Sequence, residues 1–474
     1  MKKNLALFSL LFLFSLFSLN NPVLSETGNK TVYLEGLYAT SVFNEKDFGA
    51  EKLFDHKKDS WITMPGAATD EGVFLVFEKP VAIAFIKIKL SEDQNLEKIK
   101  TVSVFANGSL LGDFPVSNSI EIQKDVKNLY IMIKEAGKIK ESKIDFPENP
   151  ESLQDVKADV SVYDSTLSSG IEEISFFDKN QNEIFIKAPL FLSGKVTASS
   201  MLKPEEAYHT DYLFDSKKEF GWADGNEKKN GKNENLLFQL DKPVIITKIK
   251  LWNGYQRSKE HFKANEKVKK ILFGLTGEKG ESYSLKDSMD PQLITLAKPL
   301  NGSRFELKIS DIYSGSKYKD LVISEISFYN GSNWFKIRSG EETKRKENIS
   351  QKVKNTPMEK LLDKRIAMKF EGDMSFYETS LIFRSNSSFV LWMNTNVEDN
   401  QKKIVADGNW EIKDLKSGEV TVRIFGKIYS LSETYEYYKG NQTKELTSIF
   451  QEKLKISAKE IKGEKIFSVI KLIN

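Results

Sequence analysis

The 474-residue sequence contains no cysteine and only three histidines. Disulfides and thiol nucleophiles are therefore excluded, and zinc clusters lack most of their usual ligands. No G-x-S-x-G, H-E-x-x-H or P-loop motif occurs. An excess of one charge is also lacking: 70 basic side chains accompany 67 acidic ones, so nothing indicates the basic face that nucleic acids require. These absences favour a binding or structural protein over the common classes of enzyme.

One apolar run, Leu5–Leu19, follows two lysines near the start of the sequence. Its 15 residues are too few to span a bilayer with ease but suit the hydrophobic region of a signal peptide. Val23 and Ser25 fit the −3 and −1 positions of a cleavage site before Glu26. We therefore expect a signal peptide over residues 1–25 and no transmembrane segment after cleavage. The lack of cysteine argues against a lipoprotein.

An exported chain without disulfides must depend on large hydrophobic cores, which 474 residues can supply through two or three domains. Extracellular domains in oxidising compartments often use disulfides, so the absence of cysteine points to a bacterial exported protein. Secreted, periplasmic and cell-surface destinations are all compatible with the sequence.

Five short motifs occur twice along the chain in the same order. Their first occurrences are Tyr38–Ser41, Leu53–Asp55, Trp61, Lys79–Val81 and Glu173–Phe177. Their second occurrences are Thr197–Ser200, Leu213–Asp215, Trp222, Lys242–Val244 and Glu325–Tyr329. The offset drifts slowly while the order is kept. This indicates two copies of one domain with loop insertions, because the units of a solenoid are far shorter.

Both copies have the composition of β-strands. Residues 73–90 and 236–251 are rich in β-branched and aromatic side chains. A Lys-Pro pair interrupts each run, at Lys79 and at Lys242, and we expect it to form a turn between strands because proline cannot donate to a central ladder. Short strands with turn signals between them predict an all-β protein with two tandem β-sandwiches.

The second copy runs into loops that are rich in Tyr, Trp, Asn and Asp. The segments that distinguish it are residues 197–202, 213–222, 251–273 and 311–329. They resemble the NADase-type glycan-binding domain, a galactose-binding-like domain of the discoidin or F5/8 type C kind. The resemblance covers about residues 190–335, with a divergent copy at 32–180. It implies galactose-binding-like jelly-roll sandwiches at residues 32–185 and 188–337.

In such sandwiches the ligand meets the loops at one end. A sugar needs a flat apolar surface for the C–H face of its ring and fixed donors and acceptors for its hydroxyls. The resemblance therefore implies a glycan site formed by Trp222, Asn253, Tyr255, Arg257, Tyr313, Tyr318 and Asp320. Structural roles are open for some of them: Trp222 suits a core, Asn253 before a glycine suits a tight turn, and Tyr313 suits an inward strand position.

The first copy departs from the pattern in its loops. Residues 89–94 read Lys-Leu-Ser-Glu-Asp-Gln where residues 251–256 read Leu-Trp-Asn-Gly-Tyr-Gln. Its last loop, residues 163–171, lacks the Lys-Tyr-Lys-Asp element of residues 317–320. We predict that the first sandwich is a degenerate scaffold or has a different specificity.

Many discoidin-like domains hold a structural Ca²⁺ near a Leu-Phe-Asp-Gly turn, bound by hard oxygen ligands. The aspartates Asp55 and Asp215 are present here, but His56 and Ser216 replace the glycine. The resemblance leaves a Ca²⁺ near Asp215 open, and no other cofactor is expected.

The C-terminal third has a different character. Residues 338–355 are charged and nearly free of apolar side chains, which predicts a linker. Thr356 and Glu359 have capping-box spacing, so we expect a short helix and a connection over 338–364. Residues 365–474 read as successive strands with polar turns, which predicts an antiparallel β domain, with closure into a lipocalin-like barrel as one option.

These features together predict an exported, non-catalytic, lectin-like protein that recognises glycans of a host or bacterial surface. A protein-binding adhesin or envelope scaffold is the alternative, with Trp392 and Trp410 as exposed aromatics. A C-terminal hydrolase is the third reading, with Asp373, Glu378 and Asp407 as candidate carboxylates near strand ends. The family takes its name from NAD-glycohydrolase toxins, whose separate catalytic domain has no visible counterpart here.

Overall fold

The computed structural model describes residues 31–65, 68–137, 158–163, 168–203, 205–226, 230–372, 375–397, 400–416, 418–435, 439–443, 449–458, 460–463 and 470–471. The predicted signal peptide lies outside these residues. Strands dominate the described part of the chain, which confirms the all-β prediction. None of the helices in these ranges is long and apolar enough to cross a membrane.

The first sandwich is formed by eight strands in the order β2-β8-β9-β1-β3-β6-β4-β5, with β8 also pairing with β3. The short helix α1 (Glu45–Phe48) and a 3-10 turn (Ala50–Phe54) follow β1. The strands in this part of the chain are β1 (Thr31–Ala39), β2 (Trp61–Ile62), β3 (Gly72–Leu90), β4 (Thr101–Ala106), β5 (Ser109–Pro115), β6 (Ile120–Glu135), β7 (Ala158–Tyr163), β8 (Gly170–Phe177) and β9 (Glu183–Lys187).

The second sandwich repeats this arrangement with the order β11-β16-β17-β10-β12-β15-β13-β14 and an extra pairing of β16 with β12. Helix α2 (Lys259–Ala264) and 3-10 turns at Glu205–Ala207 and Thr210–Leu213 lie in its loops. Its strands are β10 (Leu190–Ala198), β11 (Trp222–Ala223), β12 (Asn235–Asn253), β13 (Lys267–Leu275), β14 (Glu281–Ser284), β15 (Gln292–Tyr313), β16 (Val322–Tyr329) and β17 (Trp334–Arg338). The shared order confirms the prediction of two sandwiches of one topology.

The Lys-Pro pairs lie inside the long strands β3 and β12 and do not form turns. The pairing register shifts between Val76 and Val81 in β3 and between Gln239 and Val244 in β12. The predicted turn is therefore wrong. Each proline sits in a bulge, where the ladder does not need its missing N–H.

Each sandwich has its own apolar core, and a tryptophan of the repeat lies in each. Trp61 and Trp222 are both fully buried. Their indole nitrogens donate to equivalent backbone carbonyls, Ser41 O at 2.9 Å and Ser200 O at 3.0 Å. The same ring therefore closes the same corner of both sandwiches.

The C-terminal sheet is an antiparallel meander in the order β26-β25-β24-β22-β21-β20-β19-β18-β7, with β23 beside β22. Among the described residues the end strands β26 and β7 are not paired with each other, so these residues form an open sheet and not the barrel considered from the sequence. The strands are β18 (Arg365–Gly372), β19 (Ser375–Phe383), β20 (Ser388–Val397), β21 (Asn400–Lys416), β22 (Glu419–Tyr435), β23 (Lys439–Thr443), β24 (Ile449–Ser457), β25 (Glu460–Lys462) and β26 (Ile470–Lys471).

One strand of this sheet comes from far away in the sequence. Strand β7 precedes the last strands of the first sandwich, yet it pairs antiparallel with β18, where Tyr163 lies opposite Arg365 and Ala158 opposite Phe370. The first sandwich and the C-terminal sheet are therefore interleaved along the chain.

The predicted charged linker contains a helix, α3 (Glu341–Val353). Ile349 and Val353 stand four residues apart on one side of α3, and both are buried in the core of the C-terminal sheet. Two apolar side chains in a charged segment gave too weak a pattern to predict it. The helix expected after Thr356 is a 3-10 turn (Pro357–Lys360), without a side-chain cap from Thr356.

Candidate functional site

Four loops meet at one end of the second sandwich, which we call the loop end; their described residues are 199–202, 224–226 with 230–234, 254–266 and 314–321. Backbone hydrogen bonds join them, from Leu202 N to Ala223 O at 2.9 Å and from Asp224 N to Leu321 O at 3.0 Å. A third runs from Glu266 N to Asp320 O at 3.0 Å. The loops that the resemblance predicted to bind ligand are therefore held as one surface.

Two of the predicted site residues lie inside this loop end and anchor it. Trp222 is 0% exposed, so neither face of its ring is available to a sugar. Asn253 is also fully buried, and its amide pairs with the backbone of Val268, accepting from N at 2.9 Å and donating to O at 2.6 Å. Neither side chain is therefore exposed for direct contact with a ligand. The structural roles considered from the sequence fit both residues.

Tyr255 and Arg257 form a buried stack. The guanidinium carbon of Arg257 lies 4.7 Å from the ring centroid of Tyr255, and its Nε donates to Glu219 O at 3.2 Å. The ring of His261 meets Tyr255 edge-on at 5.3 Å between centroids. Burial raises the pKa of the Tyr255 hydroxyl, so it remains protonated and available as a donor. The stack forms the floor of the loop end.

The loop of residues 314–321 contains the most exposed of the predicted site residues. Tyr318 is 44% exposed, with Lys317 Nζ at 4.9 Å from its ring centroid. Asp320 is half-buried. Tyr313 is also half-buried, but its hydroxyl donates to Leu285 O at 3.0 Å, which ties it to the sandwich. Tyr318 and Asp320 are therefore the predicted residues best placed to meet a ligand.

Sequence reasoning missed Leu202 and Tyr208. Both are half-buried and pack on an apolar cluster of Ala223, Tyr255 and Val322. Burial raises the pKa of Tyr208, and the charges of Arg257 and Arg423, followed by those of Glu411 and Asp320, also act on its hydroxyl. A sequence signal existed, because Tyr208 is an aromatic residue in a polar loop that follows the Thr197–Ser200 motif.

Two buried acidic side chains, Asp224 and Glu266, lie beneath these loops. The Asp224 carboxylate accepts from Leu321 N at 2.5 Å. Burial raises the pKa of Asp224 to about 6. Burial, followed by the charges of Asp224 and Asp320, raises the pKa of Glu266 to about 7. The protonation of these two side chains therefore changes in the range from weakly acidic to neutral pH.

The residues near Asp215 do not fit a Ca²⁺ site. The turn carboxylate accepts from Lys217 N at 2.8 Å, and burial together with Glu325 raises the pKa of Asp215 well above its usual value. Facing it is a buried amine, Lys336 Nζ, at 2.5 Å from Glu325 Oε1 and 2.6 Å from Ser216 Oγ. Across the described ranges no group of three or more His, Cys, Asp or Glu side chains is positioned to hold a metal ion.

The equivalent end of the first sandwich is covered by the C-terminal sheet. Arg384 is fully buried there, pairs with the carboxylate of Glu71 and donates to Pro65 O at 3.2 Å. Asp70 accepts from Arg365 at 3.1 Å and from Ser380 at 2.8 Å. The described residues Asp70 and Glu71 of this end therefore bind the C-terminal sheet.

Two of the residues considered for a hydrolase lie in described strands, and their backbone positions are far apart. Asp373 lies outside the described residues. Glu378 in β19 pairs with Asn394, while Asp407 in β21 pairs with Val390. The two positions are two strands and several residues apart, or roughly 15 Å along the sheet. Carboxylates that act on opposite sides of one glycosidic bond stand closer, about 5–10 Å apart.

Structures similar to the chain include the CBM32-1, CBM32-2 and M60 catalytic domains of Clostridium perfringens ZmpB, at 12% identity and TM-score 0.23, over 67% of this chain and 38% of that one. The family 32 carbohydrate-binding module of C. perfringens NanJ, solved with galactose, matches at 12% identity and TM-score 0.23, over 28% of this chain and 92% of that one. A fucolectin from striped bass, Morone saxatilis, matches at 11% identity and TM-score 0.22, over 63% and 96%. The chain therefore spans well under half of the ZmpB structure.

No curated protein matches the chain. Residues 191–329 match the family model described as the NAD glycohydrolase translocation F5/8 type C domain. The match falls within the 190–335 range of the predicted resemblance. It confirms that resemblance: the second sandwich is an F5/8 type C domain of the NAD glycohydrolase translocation type.

Proposed function

We propose that the protein is an exported bacterial glycan-binding protein that recognises surface glycans, without catalysis, through the loop end of its second sandwich. The observation that carries this is that an exposed Tyr318 and a half-buried Asp320 lie in the loop end, where a half-buried Tyr208 packs beside the Tyr255–Arg257 stack. The proposal is supported by the family match of residues 191–329, the range in which these loops lie.

The chemistry of this surface suits a sugar. Tyr318 and Tyr208 offer aromatic faces for the C–H side of a ring, and each has a hydroxyl for a polar contact. Asp320 accepts hydrogen bonds from sugar hydroxyls in a planar geometry. We propose a galactose-containing chain as ligand, by analogy with the galactose named for the NanJ module.

The surface is shallow, so a single site should bind weakly. Few side chains are desolvated on contact, and only the surplus over the cost of association appears as affinity. Attachment of several copies to one glycan-bearing surface would then supply the strength of binding.

The first sandwich serves as a scaffold in this proposal. Its equivalent end receives Arg384, Arg365 and Ser380 of the C-terminal sheet, so it anchors that sheet. Export depends on the predicted signal peptide, and it is tested by locating the protein in cell fractions with and without residues 1–25.

A protein-binding adhesin is the second candidate, and the aromatic residues that suggested it offer little. Trp410 is buried, with its indole nitrogen 2.9 Å from Arg384 O. Trp392 is half-buried beneath Lys134, whose Nζ lies 4.1 Å from its ring centroid. Trp410 thus has no surface for a partner.

The test is a glycan array with the full-length protein, followed by titration of the best ligand with Tyr318→Ala. We expect roughly a five- to thirtyfold loss of affinity, because removal of one stacking ring costs roughly 1–2 kcal/mol. The matched control is Leu293→Ala, which removes a 57%-exposed side chain of the same sandwich in β15. Absence of binding to every glycan by the folded protein would contradict the function, and binding unaffected by Tyr318→Ala would place the site elsewhere.

A further inference from the structure

Near the turn of Asp215, Lys336 of the second sandwich supplies the positive charge that the buried carboxylate of Glu325 requires. Lys336 projects from β17 and is 0% exposed, and Glu325 beside it is nearly fully buried. A buried ammonium is costly unless hydrogen bonds and an opposite charge surround it. Both are present, since Nζ lies 2.5 Å from Glu325 Oε1 and 2.6 Å from Ser216 Oγ.

We infer that the ammonium of Lys336 takes the structural role of a metal ion at this turn, so that the second sandwich is stable without Ca²⁺. The ammonium is donor to the turn residue Ser216 and to the carboxylate of β16 at once, which ties turn, β16 and β17 together. A divalent ion at this point would place a second cation against Lys336 in a buried space.

The geometry of the turn supports this. Ser216 has φ 65°, the left-handed conformation for which glycine is the usual residue. Its backbone N–H points at Glu325 Oε1, 3.3 Å away, while its hydroxyl accepts from Lys336. The serine that replaces glycine in the family pattern thus supplies a ligand oxygen to the ammonium.

In the first sandwich a different residue, His56, contacts the corresponding carboxylate, and this is an independent observation. His56 occupies the Ser216 position, also with positive φ, and its Nδ1 lies 3.0 Å from Oε1 of Glu173, the counterpart of Glu325. The strand position that corresponds to Lys336 is Phe185, whose ring lies 5.5 Å from the His56 ring. In both copies a nitrogen of the protein meets this carboxylate.

The experiment is thermal unfolding of the full-length protein in excess EDTA and in millimolar CaCl₂, for the wild type, Lys336→Met and the double variant Lys336→Met/Glu325→Gln. We expect the wild-type Tm to be the same in both buffers. Lys336→Met should lower the Tm of the second sandwich by several degrees, because it leaves a buried carboxylate unpaired, and the added Glu325→Gln should restore most of the loss. Lys195→Met, which removes an exposed lysine of β10, is the matched control.

A wild-type Tm that rises with Ca²⁺ and loses this response in Asp215→Asn would overturn the inference. So would a double variant no more stable than Lys336→Met alone. If the single variant does not fold, the double variant and the wild-type response to Ca²⁺ still decide the question.

Discussion

The two sandwiches differ on the sheet face that points away from the core. In the first sandwich this face is apolar, and in the second it is mostly polar. Phe74, Tyr130 and Met132 are buried in the first sandwich and pack against Trp392 of the C-terminal sheet. By register, the corresponding positions of the second sandwich are Leu237, Glu306 and Lys308. One topology thus serves as a docking partner in one copy and presents a solvated face in the other.

The loop ends differ in the same sense. Glu71 of the first sandwich accepts from Thr40 Oγ1 at 2.5 Å and pairs with Arg384. Its counterpart Glu234 likewise accepts from a hydroxyl, that of Ser199, and also from the hydroxyl of Ser200 at 2.8 Å and from Asn226 at 3.2 Å, all within the second sandwich. An acid retained in both copies has been used for domain docking in one and for holding loops together in the other.

The largest effect is expected from breaking the buried pair of Glu71 with Arg384, which joins the first sandwich to the C-terminal sheet. Arg384→Met should lower the free energy of unfolding by about 3–5 kcal/mol, because Glu71 would be left as a buried, uncompensated charge. Arg338→Met is the control. It removes a pair with Glu51 that remains partly exposed at the junction of the sandwiches, and it should cost about 1 kcal/mol or less. Denaturant unfolding measures both, and equal losses would show that Arg384 does not anchor the C-terminal sheet.

The two outer faces provide the next comparison. Phe74→Ala should lower the free energy of unfolding by about 3–4 kcal/mol, because it opens a cavity where the first sandwich meets the C-terminal sheet. The corresponding Leu237→Ala, at a half-buried position, should cost roughly 1 kcal/mol. Similar losses in the two variants would mean that the outer face of the first sandwich gains nothing from docking.

The smallest effect concerns pH. An acid whose pKa is raised to about 7 in the folded state, as for Glu266, binds its proton more tightly folded than unfolded. Its contribution to stability is therefore present at low pH and is lost as the pH rises through about 7. Between pH 5 and pH 8, the free energy of unfolding of Glu266→Gln should fall by about 1 kcal/mol less than that of the wild type.

The matched control for this titration is Glu97→Gln. Glu97 forms an isolated backbone β-bridge with Ser169 in the first sandwich, as Glu266 does with Leu321 in the second. Unlike Glu266, Glu97 is half-exposed. A Glu266→Gln profile that coincides with that of Glu97→Gln would contradict the prediction, because the pH dependence would then not come from the Glu266 carboxyl.

Much of the fold was predictable from the sequence, because repeated motifs and strand composition report buried packing directly. The tryptophans Trp61 and Trp222 are an example: their place in the repeated order of motifs indicated two copies of one domain. Residues 341–353 show the limit, because the apolar face of α3 consists of Ile349 and Val353 and becomes visible only when its partner sheet is known.

The candidate site was predictable as a set of loops but not as a set of side chains. The same residue types that bind sugars also pin loops, and Asn253 does the latter through both atoms of its amide. Tyr208 escaped because its position beside Tyr255 depends on the fold of a separate loop. Burial decides between these roles, and it follows from tertiary contacts that a single sequence does not encode locally.

Strand β7 has a consequence for the order of assembly. It leaves the ribosome about 200 residues before β18, its partner in the C-terminal sheet, so this edge must wait while the whole second sandwich is made and folded. Cleavage between the second sandwich and the C-terminal sheet would not by itself release the sheet, since β7 would still hold it to the first sandwich. The chain between β7 and β18 thus forms a closed loop that contains the second sandwich, which is itself tied to α3 by the pair of Asp211 with Arg345.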